Sequence, residues 1–528
     1  MASLNFKGKS AVWNHHLSVP YHTLEQDKKK SLKGKNDSEN LIIQGDNLLA
    51  LKALLPQYQG RVKCIYIDPP YNTGNEGWVY SDNVSSPTIK EWVGKVVGKA
   101  GEDLTRHDKW LCMMTPRLKM LRELLSEDGG IFVSIDDNEQ HHLRKLMEEI
   151  FGESNFIGTY IWEARAGKDH TAQQVSVSHE YIHFFAKNKE QIVVNKDERV
   201  QQGGNYSDER GEYKREQLRQ WGTHDRREDR PSMFYAVVAP DGSKVLPIRG
   251  DGTEGCWRIS ESRMKKVIEA GDVDFASDGE RWQLYAKKRS GKITKTAFGT
   301  LIQGVGTAST GTLELKSLFT EKVFDTTKPT GLLKHLLKLI DDPSSLVLDS
   351  FAGSGTTAHA VLDLNKEDGG NRKFILVEME DYADKITAER VRRAAKKNGY
   401  DADFIYHTLG QAIDAENLLT GKLPSYKEFA KYVYYLATGK NHPDESKIKE
   451  TEGFVGKGDG ESVYLLYKKD MEALKSLAIT LDWAQETSKK DKGKKVVYAP
   501  ACYLDDETLD QYNITFVSVP YNLFEKVA

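Results

Sequence analysis

The chain has 528 residues, too many for a single hydrophobic core and suited to about two to four domains. Hydrophobic residues make up 39% and charged residues 29%, and no apolar run approaches the ~20 residues of a membrane span, so a globular protein with no membrane association is expected. A net charge of −3 gives no overall pull toward nucleic acid but leaves room for a local basic surface, and four scattered cysteines outline neither a disulfide framework nor a zinc site.

Residues 1–40 are polar and Lys-rich, ending in DKKKSLKGKNDSEN, and read as a surface-draped arm. At Leu41 the texture changes. The run LIIQ leads through Gly45-Asp46 into helical spacing at Leu48, Leu51 and Leu55. CIYI at 64–67 is a short strand that stops at Asp68-Pro69-Pro70-Tyr71. The polar stretch 82–108, flanked by Trp92 and Trp110, reads as a loop over a pocket. A helix over 110–125 breaks at Gly129-Gly130, the strand IFVSI covers 131–135, and a helix runs from Asn138 to about 150. Residues 41–155 thus alternate strand and helix, the mark of a mostly parallel sheet.

Residues 156–315 interrupt that rhythm. FIGTYIW and EYIHFFA are strand-like, and Arg-, Gln- and Gly-rich stretches follow, so an inserted domain is expected. The rhythm resumes over 316–410. A helix over 330–340 precedes the strand LVLDS at 346–350, then Phe351-Ala352-Gly353-Ser354-Gly355-Thr356-Thr357, a helix, the strand FILVE at 374–378 and a charged helix over 381–397. Residues 411–528 carry helices and three strand-like runs, VYLLY, VVYA and ITFVSV, enough for a small α/β domain. The expected class is α/β, a Rossmann-like sheet with an insertion and a carboxyl-terminal domain.

Asp68-Pro69-Pro70-Tyr71 directly after a strand can act on an exocyclic amine of a planar ring. The amine lone pair is delocalised into the ring, and giving both N–H bonds an acceptor localises it. Asp68 offers a carboxylate, Pro69 a backbone carbonyl on a turn stiffened by Pro70, and Tyr71 an aromatic face. The LVLDS strand, ending in Asp349, opens into a glycine turn in which Gly353 and Gly355 let backbone approach a ligand. Thr356 starts the following helix, whose amino terminus favours a carboxylate, and Glu378 ends the next strand, where an acid suits ribose hydroxyls. No Gly-Lys-Ser/Thr follows, which removes the phosphate-loop reading.

Together these motifs resemble the amino-methyltransferases of the beta arrangement, in which the catalytic motif precedes the cofactor motif and a target-recognition domain lies between them. The strings YIDPPYNTGN, HEYIHFFAK, RPSMFYAV and FAGSGTTAHAVLDLN are most similar to modification (Mod) subunits of type III restriction-modification systems. The resemblance implies S-adenosylmethionine as cofactor and transfer to N6 of a flipped adenine in double-stranded DNA. It also implies a homodimer, a helicase-endonuclease partner and a cytoplasmic, nucleoid-associated location. Asp68, Pro69, Pro70 and Tyr71 match the catalytic motif. Asp46, Asp68, Lys328, Asp349, Phe351, Gly353, Gly355, Thr356 and Glu378 match the cofactor motifs, Asp46 through G-D-N-L and Lys328 through Thr327-Lys328-Pro329. N4-cytosine transfer on the same scaffold and a non-catalytic DNA-binding subunit stay open as alternatives.

DNA contacts are expected from the insertion, with Arg215, Arg219, Arg226, Arg227 and Arg230 as candidates among interleaved aromatics. Acidic residues alternate with them, so internally paired surface is the competing reading. His179 and His183 share one face of a strand without a third ligand, and no metal is expected.

Overall fold

The computed structural model describes residues 3–34, 39–73, 105–167, 174–200, 203–277, 279, 281–291, 293–340, 342–414, 417–418, 420–421, 423–458 and 460–519. Ten strands form the main sheet. In chain order they are β1 (Tyr21–Gln26), β2 (Leu41–Gln44), β3 (Val62–Ile67), β4 (Leu125–Ile135), β5 (Phe156–Glu163), β6 (His179–Ala186), β7 (Leu301–Ile302), β8 (Leu346–Asp349), β9 (Lys373–Glu378) and β10 (Ile405–Ile413). Their spatial order is β1-β10-β2-β9-β8-β3-β4-β6-β5-β7. The six strands from β10 to β4 are mutually parallel, β6 is antiparallel to β4 and β5, and β1 is antiparallel to β10.

Apolar runs without alternation suit such a sheet, because helices cover both faces. Ile65, Ile67, Ile131, Val133, Leu348, Ile375 and Val377 join one core layer with the helices α1 (Asn47–Tyr58), α2 (Arg106–Leu124) and α3 (Gln140–Phe151). The intervening Cys64, Tyr66, Phe132, Val347, Phe374 and Leu376 are also buried but lie outside that layer, as the two-residue period of a strand requires. The remaining helices of this part are α4 (Ala308–Phe319), α5 (Thr330–Ile340), α6 (Thr356–Asp368) and α7 (Glu389–Asn398).

β3 and β8 are adjacent and parallel, with Val347 opposite Cys64 and Leu348 opposite Ile65. The chain leaves β8 toward β9 on one side and β3 toward β4 on the other. This is a switch point, where open α/β sheets hold ligands beyond the carboxyl ends of the strands.

Three boundaries differ from the sequence reading. The expected arm folds. β1 pairs with β10, and Val12 and Val19 are buried, because a half-polar strand suffices to close a sheet edge. The compact inserted unit spans Lys196–Phe298 rather than 156–315, since β5, β6 and β7 complete the main sheet. The strand β4 runs through Gly129-Gly130, where a helix break was expected to be the boundary. A Cβ on Gly130 would sit 2.7 Å from the Phe184 ring, so glycine here marks a close approach inside a strand.

The inserted unit holds a four-stranded antiparallel sheet and the Glu261–Glu269 helix around a small core that includes Leu218, Trp257, Met264 and Leu284. The carboxyl-terminal region forms α8 (Tyr426–Thr438) and a four-stranded sheet, β11 (Phe454–Gly458), β12 (Glu461–Leu465), β13 (Lys494–Ala499) and β14 (Ile514–Ser518). It belongs to the same compact unit as the main sheet. Its core takes in Tyr21 of β1, whose ring stacks on Tyr432 at 4.3 Å between centroids. No helix among the described residues is long and apolar enough to cross a membrane.

Candidate active site

Asp68, Pro69, Pro70 and Tyr71 leave β3, and Phe351, Ala352, Gly353 and Ser354 leave β8 next to it, so sheet order alone brings the two motifs together. Both line one cavity of about 530 Å³, with Lys328, Asp349, Thr356 and Thr357 on the same wall.

On the catalytic side the carboxylates, the phenol and the ammonium hold one another. The Tyr71 hydroxyl donates to Asp68 Oδ1 at 2.8 Å and lies 2.9 Å from Glu180 Oε2. Lys328 Nζ donates to Asp68 Oδ2 at 2.7 Å and sits 3.3 Å from Glu180 Oε2. Burial alone would pull the Lys328 ammonium down, but Asp68 and Glu180 together push its pKa above the usual lysine value. Burial, with the Asp68 charge next to it, raises the Tyr71 phenol well above its ordinary range. Trp110 Nε1 of α2 donates to the Pro70 carbonyl at 2.7 Å and fixes the loop. No donor among the described residues takes the Pro69 carbonyl. The next residue, Asn72, has φ 58° and is fully buried, its Nδ2 donating to Glu139 Oε1 at 2.5 Å.

On the glycine side, Gly353 has φ 53° and Gly355 φ 80°. Glu378 Oε2 accepts from Gly353 N at 2.8 Å, and Thr387 Oγ1 donates to the Gly353 carbonyl at 2.5 Å. Asp349 accepts from Phe351 N at 3.0 Å and from Thr357 Oγ1 at 2.5 Å. Burial outweighs these hydrogen bonds and pushes the Asp349 carboxyl up to about 7, and it does the same to Glu378, also to about 7. The fully buried Arg390 of α7 donates to Ser354 Oγ at 3.0 Å and Thr356 Oγ1 at 2.7 Å. Burial draws its guanidinium down to about 10.

These residues fit a nucleoside donor carrying a positive charge. Asp68, Glu180 and Asp349 line the cavity. Thr327, on the cavity wall and 1% exposed, has a hydroxyl with no hydrogen-bond partner among the described residues, a polar atom left for a ligand.

The sequence-predicted residues divide accordingly. Asp68 to Tyr71, Lys328, Asp349, Phe351, Gly353 and Thr356 line the cavity. Gly355 lies behind it, where a Cβ would meet the Thr387 carbonyl at 2.8 Å. Glu378 is buried against the turn, outside the cavity wall, and its two oxygens accept from Gly353 N and Glu380 N. Asp46 caps α1 by accepting from Leu48 N and Leu49 N, and it too is outside the cavity wall. Sequence reasoning missed Glu180 and Arg390, and placed Trp110 only at the edge of the loop over a pocket. Glu180 stood in the quoted HEYIHFFAK string, but only the antiparallel placement of β6 beside β4 carries it to Asp68.

In the inserted unit, most of the expected DNA contacts have partners at home. Arg215 pairs with Asp274 at 2.7 Å under the Tyr206 ring, and Arg227 pairs with Glu254 at 2.7 Å. Arg219 is half-buried and donates to the Gln220 carbonyl. Arg226 and Arg230 are exposed and carry no ion pair among the described residues, and Trp221 is 67% exposed beside them in sequence. Most of the 82–108 stretch, expected as a loop over a pocket, lies outside the described residues. His183 is a packed residue, its ring bonded to Thr159 and the Gln140 carbonyl, and burial draws its pKa down to about 4.

A family model described as DNA methylase, covering N6 and N4 methyltransferases, matches residues 62–389, which contain both motifs and the insertion. The chain belongs to that DNA methylase family. S-adenosylmethionine is the methyl donor of such enzymes. The chain is 34% identical to the EcoPI Mod subunit of a type III restriction-modification enzyme from Escherichia phage P1, over 76% of this chain and 69% of that protein. It is 33% identical to the StyLTI Mod subunit of Salmonella typhimurium, over 72% of this chain and 59% of that protein. It is 32% identical to the EcoP15I Mod subunit of Escherichia coli, over 75% and 69%.

Proposed function

We propose that this methyltransferase modifies the N6 amino group of an adenine flipped out of duplex DNA, as the modification subunit of a type III restriction-modification system. The observation that carries the reading is the shared cavity, where the Asp68 loop and the glycine turn meet at the ends of adjacent strands. S-adenosylmethionine supplies an already activated methyl group, so the protein's task is alignment and charge placement. Phe351, Gly353, Asp349 and Lys328 would hold the donor. Asp68 would accept one amine N–H and the Pro69 carbonyl the other, with the Pro70 carbonyl kept out of competition by Trp110. Tyr71 would stack on the base.

Asp68 already carries two donors, Tyr71 and Lys328. Glu180 lies within reach of both, so it can hold them while Asp68 turns to the substrate. Arg226 and Arg230 are exposed cations of the insertion that phosphate can engage without breaking an ion pair among the described residues. A restriction partner completes the proposal, because the relatives are Mod subunits of type III restriction-modification enzymes; a homodimer and a helicase-endonuclease as that partner are what the family resemblance of the motifs implies.

The test is Asp68→Ala. Methyl transfer from labelled donor to DNA is expected to disappear while donor binding, measured by calorimetry, survives. Retained transfer would remove the mechanism. Nucleoside mass spectrometry of the wild-type product reads the base, and N4-methylcytosine without N6-methyladenine would overturn the adenine assignment.

A further inference from the structure

Behind the catalytic loop lies a second cluster of donor atoms that the methyl-transfer chemistry does not use. Glu139, fully buried, precedes the first turn of α3. Its Oε1 lies 2.6 Å from Nδ1 of His107, in the first turn of α2, and its Oε2 lies 2.8 Å from Nδ1 of His142, one turn along α3. One donor atom from each of the three residues falls within 4.8 Å of the others.

We propose that His107, Glu139 and His142 bind a divalent first-row transition ion. Two imidazoles and a carboxylate are a common zinc donor set that leaves a coordination position open. Glu and His three apart on a helix project to one side, as they do in helical carboxylate metal sites. Donor atoms around a tetrahedral ion with bonds of about 2.1 Å stand roughly 3.4 Å apart, so each imidazole has to draw back from Glu139 by less than about 1 Å.

The charge balance points the same way. A carboxylate taken wholly out of water needs a compensating positive charge, which a bound cation would supply; among the described residues the two histidines are the ion-pair partners of Glu139, with no lysine or arginine beside them. A further observation is independent of the three ligands. Asn72, 0% exposed, faces the cluster through its Nδ2, and its Oδ1 has no partner among the described residues. The two ends of an amide are nearly alike in shape, so rotating it presents an oxygen to a cation between Glu139 and the imidazoles. Asn72 follows Tyr71 directly, so an ion here ties the end of the catalytic loop to the first turns of α2 and α3.

The full chain, stripped with chelator and dialysed against zinc chloride, is expected to retain one equivalent of zinc per chain by elemental analysis. His107→Ala and His142→Ala are each expected to weaken binding by more than about tenfold, while His141→Ala, whose ring lies tilted against His142 at 4.0 Å between centroids, retains it. X-ray absorption on the zinc-loaded wild type is expected to show a shell of nitrogen and oxygen with imidazole scattering. No retained zinc would reduce the site to a hydrogen-bonded cluster and overturn the proposal. So would sulfur in the shell, which would place the ion on a cysteine, or unchanged stoichiometry in both histidine variants. The absorption measurement needs no variant to fold, and neither readout depends on methyl transfer.

Discussion

At the scale of single residues the site is governed by what each carboxylate has for a neighbour. Glu180 shares Lys328 and Tyr71 with Asp68, so its removal should strand both donors on the catalytic carboxylate. Glu180→Gln is expected to lower kcat by at least roughly tenfold, about 1.4 kcal/mol, with little change in donor affinity. Steady-state kinetics with separate donor-binding calorimetry checks this, and an unchanged kcat would deny Glu180 the role of holding Lys328. Asp349 makes a pH prediction. Burial holds its carboxyl at about 7 in the fold, whereas an unfolded aspartate releases its proton near 4. Between those values the folded state binds the extra proton, so this group's contribution to stability falls as pH rises through that window and is level above it. Relative to Asp349→Asn, the wild type should therefore lose on the order of a few kcal/mol between about pH 4 and about pH 7. Donor affinity should move the opposite way, rising with pH as the ionised carboxylate meets a cationic ligand. Urea titrations and calorimetry across that range read both slopes.

At the scale of elements, the turn between β8 and α6 is held from behind by the π-helical segment Ala383–Ala388 and by α7. Gly355→Ala places a side chain where φ is 80° and a Cβ would lie 2.8 Å from the Thr387 carbonyl. The left-handed conformation alone costs roughly 1–2 kcal/mol, and the overlap adds to it. Loss of donor binding well beyond the loss of melting temperature is the expected outcome, measured by calorimetry beside thermal unfolding. That glycine was legible in the sequence because a strand, a G-x-G turn and a helix follow one another locally. β1 was not. YHTLEQ alternates buried and half-buried positions before two exposed ones and is half polar, and only pairing with β10, nearly four hundred residues later in the chain, gives it a reason to be extended. Glu180 and the site role of Trp110 were illegible for the same reason, since each residue reaches the site through sheet order or packing rather than through spacing in its own segment. His107 escaped notice as a metal ligand because its partners are a separate helix away. Glu378 was legible as a strand-end acid, but a sequence cannot say whether such an acid faces a ligand or a backbone amide, and here it takes the Gly353 N–H.

At the scale of the whole molecule, the two ends of the inserted unit meet. Lys196–Val200 and Ile293–Ala297 form an antiparallel pair in which Lys196 faces Ala297. Facing residues in such a pair lie roughly 5 Å apart between Cα atoms, so a linker of a few glycines and serines can replace Lys196–Phe298 without straining β5, β6 or β7. The unit has its own core around Trp257 and Met264, and both motifs lie outside it. Excision is therefore expected to leave a folded protein that binds the methyl donor with near wild-type affinity. It should also remove Arg226 and Arg230 and with them most of the affinity for duplex DNA, measured by fluorescence anisotropy at fixed salt. Removal of residues 414–528 should behave differently. That region shares a core with β1 and α1 through Tyr21 and Ala53, so truncation uncovers Tyr21 and its neighbours and should produce aggregation rather than a selective loss. If the excised protein lost donor binding while the truncated one kept it, the division of labour between the sheet and its insertion would have to be reversed.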